Sequence, residues 1–465
     1  MQESDRPNII LINCDDLGYG DLGCYGSGRN ATPNLDRMAA EGLRLTDFYM
    51  ASPVCSPSRG AMMTGCYPPR IGFDVFGERG GAVLFPGDGE GIHEDEKTLP
   101  QLLQEQGYRT QLVGKWHCGD QPEFLPCQRG FDGYYGLPYS NDMGRQEGRE
   151  DAPPLPLLRG DAVMQEQPDQ RGLTERYTEE CLRFMRENAE GPFFLYLAHM
   201  YVHVPLFVPP QFMRASRNGA YGGAVEHIDW TMGVLLAELK RLGIDEKTLV
   251  IFTSDNGSRA RDEGGSNAPC RGTKATTWEG GQRVPCILRW PGRISPGRTR
   301  SDITAAIDFL PTLAGLAGAS VPTDRPIDGI PFEGMLFDES ATPVRDTFVY
   351  YFRNQLEAVR RGDWKLHFPV SSKGLDKPCL FNLADDVGES TDLADTYPEI
   401  VAELEAVAWT VRHDLGDALT GTTGNGRRPC GTVVDPKPLT AYDPEHPYMI
   451  ALYDLADADG TLMAG

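Results

Sequence analysis

Cys55-Ser56-Pro57-Ser58-Arg59 puts a thiol, a proline and a guanidinium within about one helical turn. Pro57 suits the first helical position and Ser56 the cap before it. Gly60-Ala61-Met62-Met63-Thr64 continues a short helix that Gly65 ends. Cys55 is then expected at the positive end of that helix, where free N–H groups bind oxyanions and lower a thiol's pKa. Arg59, one turn on, can point back to the same spot. The segment reads as a grip for an anion beside a nucleophile. A buried cysteine before a turn is the structural alternative, and it leaves Pro57 and Arg59 at this spacing unexplained.

Two acidic pairs suggest a metal. Asp15-Asp16 and Asp255-Asn256 each follow an apolar run, so adjacent strand ends would gather three carboxylates and a carboxamide. That density of negative charge requires a cation. Hard oxygen ligands favour Ca²⁺ or Mg²⁺ over zinc. For either pair alone a turn or cap is the plain reading; their shared place, a strand end before a glycine-containing turn, favours the metal. The candidate cations are Arg59, Lys115, His117, His203 and Lys274. Lys115 and His117 alternate and would share a face on extended backbone. Lys274 lies in a Gly-rich segment from Arg271 to Gly281. His199, one turn before His203, is read as structural.

The elements that must position these residues follow one grammar: a turn signal, a short apolar run, then the polar residues. Strands are expected over Asn8 to Asn13, Tyr108 to Val113, Phe193 to Ala198 and Thr248 to Thr253. Helices are expected from Thr32-Pro33 to Gly42, over Gln101 to Gln106 with Leu99-Pro100 starting it and Gly107 capping it, over Thr174 to Asn188, and over Tyr221 to Leu242. Strands apolar on both faces, alternating with helices, predict an α/β fold: a mostly parallel sheet covered on both sides, with its site at the carboxyl ends of the strands. Val321 to Pro343, rich in Pro, Gly and Asp, reads as a linker or long connection at the division between a catalytic domain, 1–343, and a C-terminal subdomain, 344–465. In the latter, Thr347 to Phe352, Leu356 to Arg360, Trp364 to Phe368 and Cys379 to Leu383 predict a small antiparallel sheet, and Glu399 to Leu415 a helix. The tail from Gly416 is expected to be irregular. Asp457-Ala458-Asp459-Gly460 lacks the downstream Glu of a calcium loop and reads as solvated tail.

Size and charge bound the answer. At 465 residues the chain exceeds one ordinary core. A formal net charge of −23 argues against nucleic acid and anionic membranes as partners, so an anionic substrate would need a locally basic site. No apolar run approaches a membrane span, and Met1 to Asn8 is short and polar for a signal peptide. A cytoplasmic protein is therefore the expectation, a periplasmic or secreted one the alternative. None of the eleven cysteines falls in a Cys-x-x-Cys pair, which argues against zinc ribbons and thioredoxin-like chemistry.

The Cys55 segment resembles Cys-x-Pro-Ser-Arg, the signature of type I sulfatases. Asn8 to Gly26, Thr32-Pro33-Asn34-Leu35-Asp36, Gly114-Lys115-Trp116-His117, Ser254-Asp255-Asn256-Gly257 and Glu279-Gly280-Gly281 also look like sulfatase segments, in sulfatase order, nearest to the arylsulfatase A and N-acetylgalactosamine-6-sulfatase branch. One departure is Met63-Thr64-Gly65-Cys66, where the family usually has Leu-Thr-Gly-Arg. The resemblance implies an alkaline-phosphatase-like fold and hydrolysis of aryl or carbohydrate sulfate monoesters. By matching motif, a formylglycine-generating enzyme would convert Cys55 to formylglycine. Asp15, Asp16, Asp255 and Asn256, with residue 55, would hold Ca²⁺, with Mg²⁺ the other candidate. Arg59, Lys115, His117, His203 and Lys274 would surround it. In the implied mechanism the formylglycine hydrate attacks sulfur with Asp255 as base, His203 or Lys274 protonates the leaving oxygen, and His117 helps expel sulfate. The reaction demands on the order of 20 kcal/mol of barrier reduction, mostly from positioned charge.

A phosphonate or phosphate ester hydrolase on the same scaffold is the alternative reading. A non-catalytic ion-binding protein with a free Cys55 thiol is the rival of another class. Without a long basic run, a mono-sulfated sugar or aryl sulfate is expected rather than a polysulfated chain. Phe73 to Glu94, Tyr139 to Gln170 and the tail are expected to line the mouth.

Overall fold

The computed structural model describes residues 6–448. In chain order its first strands are β1 (Asn8–Cys14), β2 (Leu43–Leu45), β3 (Phe48–Tyr49), β4 (Glu90–Gly91), β5 (Arg109–Gly114), β6 (Gly133–Gly136), β7 (Pro156–Arg159), β8 (Ala162–Glu166) and β9 (Phe193–Ala198). They are followed by β10 (Thr248–Ser254), β11 (Cys286–Arg289), β12 (Arg298–Arg300) and β13 (Thr304–Ala305). One sheet runs β12-β2-β11-β10-β1-β9-β5-β6-β7-β8. Its centre, β10-β1-β9-β5-β6, is parallel, and antiparallel pairs flank it on both sides.

The central strands are apolar at every other position toward each face because both faces are covered. Ile9, Leu11, Phe194, Leu249 and Ile251 enter one core, with helices α2 (Cys55–Thr64), α3 (Leu99–Gln104) and α8 (Phe309–Ala317) packed on it. Ile10, Ile12, Leu195, Val250 and Phe252 enter the other, under α1 (Pro33–Ala40), α4 (Leu173–Glu187) and α6 (Gly219–Leu242). Short helices α5 (Pro210–Ala215) and α7 (Glu279–Gln282) lie in the connections. The expected apolar faces, Tyr177, Cys181, Phe184 and Met185 on α4 and Ile228, Met232, Leu235 and Leu239 on α6, are buried.

Helix α3 begins at Leu99, as Leu99-Pro100 predicts, where the Gln101 side chain accepts the Thr98 N–H (2.9 Å) and caps a turn that includes Pro100; it ends at Gln104, short of Gln106. One helix start differs from expectation. Helix α2 begins at Cys55 itself, with Val54 extended before it and left-handed Gly65 (φ +68°) after it.

Residues 321–343 are not a loose linker. The Asp328 and Gly329 N–H groups both donate to Gly65 O (2.9 Å), Asp328 pairs with Arg70 (2.7 Å), and Phe332, Met335 and Leu336 around α9 (Glu333–Phe337) are buried. The stretch straps the end of α2. Beyond it β14 (Thr347–Phe352), β15 (Gln355–Arg361), β16 (Trp364–His367) and β17 (Cys379–Asn382) form a separate antiparallel sheet, against which α10 (Pro398–Leu415) packs Leu404 and Ala408. Among the described residues the tail is irregular apart from β18 (Gly431–Thr432), which returns to pair with β4. Asp457 to Gly460 lies outside the described residues. Among the described residues no helix is long and apolar enough to cross a membrane, and all eleven cysteines are free thiols.

Candidate active site

Strand register assembles the acidic cluster. Cys14 pairs with Ser254, so Asp15 and Asp255 leave the sheet side by side, tied by Asp255 N–H to Cys14 O (2.9 Å). On continued strand, Asp15 and Asp16 would point to opposite faces. The chain instead turns left-handed at Asp16 (φ +62°) and both carboxylates converge. Asp16 N–H then donates to Asp255 Oδ1 (3.2 Å), and Asn256 Nδ2 to Asp16 Oδ1 (2.7 Å).

The next strand ends bring cations. Gly114 pairs with Ala198, and Lys115 N–H donates to Ala198 O (2.7 Å). Gly114 is left-handed (φ +109°), and a Cβ there would sit 1.9 Å from Ala198 O, so no other residue fits. Lys115 Nζ donates to Asp15 Oδ2 (2.5 Å) and Ser140 Oγ (3.1 Å). His117 is not on extended backbone; it is left-handed (φ +63°) because the chain is still hydrogen-bonded to the β6 side, His117 N–H donating to Pro138 O. Its ring still reaches the site. Nε2 lies 2.9 Å from Leu84 O and donates to it, leaving Nδ1 a buried acceptor without a partner.

Helix α2 is buried at all ten positions. Cys55 Sγ donates to Asp15 Oδ1 (3.3 Å). Ser56 does not cap the helix: it lies inside the first turn, and its Oγ accepts Leu84 N–H (3.1 Å), which fixes residues 73–94 over the site. Arg59 reaches past Cys55 to the strand ends, with Nε on Asp255 Oδ2 (2.8 Å), Nη1 on Lys115 O (3.0 Å) and Nη2 3.8 Å from Asp15. From the other side Lys274 Nζ donates to Asp16 Oδ2 (2.9 Å), in a loop turned left-handed at Ala275. His203 Nδ1 faces its neighbour's carbonyl, Val204 O, and Nε2 faces Asp16 at 3.8 Å.

These groups border one cavity of 340 Å³, lined by Cys55, His117, Ser140, His203 and Lys274. The sequence match extends well beyond this centre: the family model described as Sulfatase covers residues 7–319. The chain belongs to the sulfatase family. Residues 273–411 also match the N-sulphoglucosamine sulphohydrolase C-terminal model. The N-acetylgalactosamine-6-sulfatase of Canis lupus familiaris is 41% identical over 78% of this chain and 72% of its own length. Arylsulfatase A of Homo sapiens is 37% identical over 86% of each. The crystal structure of Ps i-CgsB in complex with k-i-k-neocarrahexaose superposes with a TM-score of 0.77 at 32% identity, over 88% of this chain and 94% of that one. The sulfatase is thus a sulfuric ester hydrolase with an alkaline-phosphatase-like fold.

Burial and neighbours set the sulfatase's charges. Burial opposes ionisation of Asp15, yet Lys115, His203 and Arg59 hold its carboxyl well below the usual range. Burial, reinforced by Asp15, pushes Asp255 up to about 6. Burial opposes the charge on Lys274, but Asp16 outweighs it and raises the ammonium. Burial and Lys115 hold His117 well below its usual value, and burial and Lys274 lower His203. The Cys55 thiol departs from expectation. Burial and the Asp15 carboxylate push it well up, outweighing the helix start and the cations.

The donor set fits a hard divalent ion. Asn256 Oδ1 is buried without a partner, the carboxylates of Asp15 and Asp16 converge, and one ligand atom each of Asp15, Asp16, Cys55 and His203 lies within 4.8 Å of the others. Asp255 stands at the same strand end with its Oδ2 engaged by Arg59. His199 accepts Tyr201 N–H at Nδ1 (3.1 Å), and burial lowers it to about 3, as suits a neutral structural histidine.

The mouth of the sulfatase cavity is formed by Val83 and Phe85 from the first expected loop and by Asp142, Met143 and Arg149 from the second. Among the described residues the tail does not line it; Tyr442 and Tyr448 lie against Arg145 behind the second loop. Ser140 and Asp142 fall in the second expected loop without having been singled out, and sequence reasoning missed Arg259 and Arg261. These two follow Asp255-Asn256-Gly257 by two and four residues, a proximity that could have flagged them.

Proposed function

We propose that this sulfatase cleaves sulfate monoesters using formylglycine made from Cys55 and Ca²⁺ held by Asp15, Asp16, Asp255 and Asn256. The observation that carries the reading is the convergence of Cys55, Asp15, Asp16 and His203 within 4.8 Å at the end of a cavity also bordered by His117 and Lys274. Asp15, Asp16, Asp255 and Asn256 would hold the ion, which when bound would offset their negative charge and supply Lewis-acid polarisation of a sulfate oxygen. Formylglycine supplies a hydrated aldehyde that can accept and later release the sulfuryl group, which a thiol cannot do.

The chain's own groups do the rest. Lys115, steadied by Asp15 and Ser140, and Lys274, steadied by Asp16, hold ammonium groups on two sides of position 55 and draw the sulfate oxygens inward. Arg59 fixes Asp255, which accepts a proton beside residue 55. His117 receives a proton at Nδ1, the nitrogen left free when Nε2–H donates to Leu84 O. His203, with Nε2 toward Asp16, or Lys274 delivers the proton to the leaving oxygen.

The test is the mass of the peptide spanning Cys55, from protein made where formylglycine-generating machinery is active, together with kcat/KM on an aryl sulfate and an aryl phosphonate. Formylglycine and a preference for the sulfate are expected. Cys55→Ser should accumulate sulfated protein and stop within one turnover. An unmodified thiol alongside a converted control, or repeated turnover by Cys55→Ser, would sink the covalent reading. Preference for the phosphonate would overturn the substrate class.

A further inference from the structure

The mouth carries two features that the cleavage chemistry does not use. The first is Asp142, only 6% exposed, which lines the cavity on the short turn Asn141–Met143. Its Oδ1 is buried with no hydrogen-bond partner. The turn is anchored through its backbone instead, the Asp142 carbonyl accepting Gln146 Nε2 (2.7 Å) and Arg149 Nη1 (2.8 Å). A desolvated carboxylate oxygen with nothing to accept is costly unless a ligand supplies the donor. Beside a site for sulfate, that donor comes from an O–H or N–H group on the rest of the substrate. A hydroxyl is the simplest such group.

The second is the pair Arg259 and Arg261, which line the same cavity. Between them Ala260 is left-handed (φ +46°), a conformation that a residue with a Cβ seldom adopts. The turn is braced on both sides: Ala260 N–H donates to Ser258 Oγ (3.1 Å), and Arg261 N–H to the buried Glu263 carboxylate (3.1 and 3.2 Å). Strain held this way belongs to positioned side chains. A basic rim on a chain of net charge −23 is a local inversion of the overall field, suited to a substrate with more negative charge than one ester. Val83, Phe85 and Met143 supply an apolar wall for the C–H face of a ring.

We infer that the substrate is a sulfated carbohydrate bearing a second anionic group, with a hydroxyl near the scissile ester donating to Asp142 and the second anion paired by Arg259 and Arg261. The inference rests on the sulfatase reading and revises the expectation of a mono-sulfated or aryl substrate: no basic run exists in the sequence, but folding gathers separate arginines. The second anion is a sulfate or a carboxylate, since guanidinium groups pair with either.

The experiment measures kcat/KM on four probes: 4-nitrophenyl sulfate, galactose 6-sulfate, and galactose 6-sulfate disaccharides whose second sugar carries either another sulfate or a uronic acid. The wild type should prefer one of the two dianionic disaccharides to galactose 6-sulfate by at least tenfold, and the preferred one identifies the second anion. Asp142→Asn should lower kcat/KM on the sugars at least tenfold more than on the aryl sulfate. Arg259→Gln/Arg261→Gln should lower it on the preferred disaccharide at least tenfold more than on galactose 6-sulfate, and Arg259→Lys/Arg261→Lys should restore part of that loss. Melting temperatures show whether each variant is folded. Equal losses on all probes, or no disaccharide preference in the wild type, overturn the inference while leaving a working sulfatase. Failure of the wild type on every probe, the aryl sulfate included, counts against the sulfatase reading itself.

Discussion

Lys115 shows what a single residue gains from its surroundings. Its ammonium is fully buried and held between Asp15 and the Ser140 hydroxyl, and only the first partner could be inferred from spacing. Ser140 joins through the turn after β6, whose path depends on packing. Ser140→Ala should therefore cost about tenfold in kcat/KM, the ~1.5 kcal/mol of a hydrogen bond to a charged group, with little change in melting temperature; steady-state kinetics on an aryl sulfate check it. Asp15, Asp16, Cys55 and Lys115 were legible because each sits at a fixed offset from an element end. The state of Cys55 was not. Sequence gives the helix start and its N–H groups, whereas the thiol's pKa follows from the burial of the whole helix and from a carboxylate 3.3 Å away. Cys66, where the family usually has arginine, is met by a guanidinium from far along the chain: Arg428 Nη2 donates to its Sγ at 3.4 Å. No local pattern announces that contact.

The elements were more legible than the contacts between them. Strands β1, β5, β9 and β10 read through because apolar runs between turn signals have few other uses, and the residues just past their ends supply the chemistry. Whether residues 321–343 are a loose linker or a packed connection was not legible, because their anchors are single side chains and backbone groups rather than a periodic face. Strand β16 carries a property invisible in its pattern. His367 is buried there, stacked on Trp278, with Nε2 2.8 Å from Glu389 Oε1. Burial, followed by Lys365, lowers it from 6.5 to about 4. Below pH 6.5 the unfolded chain takes up a proton that the folded chain refuses until about pH 4. Stability from this group is full above that window and is lost as pH falls through it, by roughly 3 kcal/mol at most. His367→Asn should flatten the fall, as urea midpoints at neutral and mildly acid pH would record. An unchanged slope would exclude the residue as the source.

At the scale of the molecule, the two sheets meet through buried charge. Lys365 on β16 donates to Glu279 Oε1 (2.9 Å) and Thr277 O (2.9 Å) in the loop that carries Lys274, and pairs with Glu389 (2.8 Å), with no exposure on any of the three charged side chains. Burial opposes ionisation of Glu279, but Lys365, Arg283 and Arg360 hold it well below the usual range. Lys365→Met would remove the cation that two buried carboxylates share and should cost about 3–5 kcal/mol. A calorimetric melt showing no loss would mean that the cluster relaxes. The sequence marked Lys365 only as part of a short strand, since a buried ion pair is defined by a partner 86 positions away. The return of β18 to β4 adds a consequence in time. Cys55 is 2% exposed, beneath residues 73–94, and those residues are finished by a strand at 431–432 and by ion pairs from Arg427 to Asp74 and Arg428 to Glu96. The wall over the thiol is made early but pinned only after residues 427–432 have been synthesised. On the proposed formylglycine reading, conversion of residue 55 has to come before those residues fold back onto the wall.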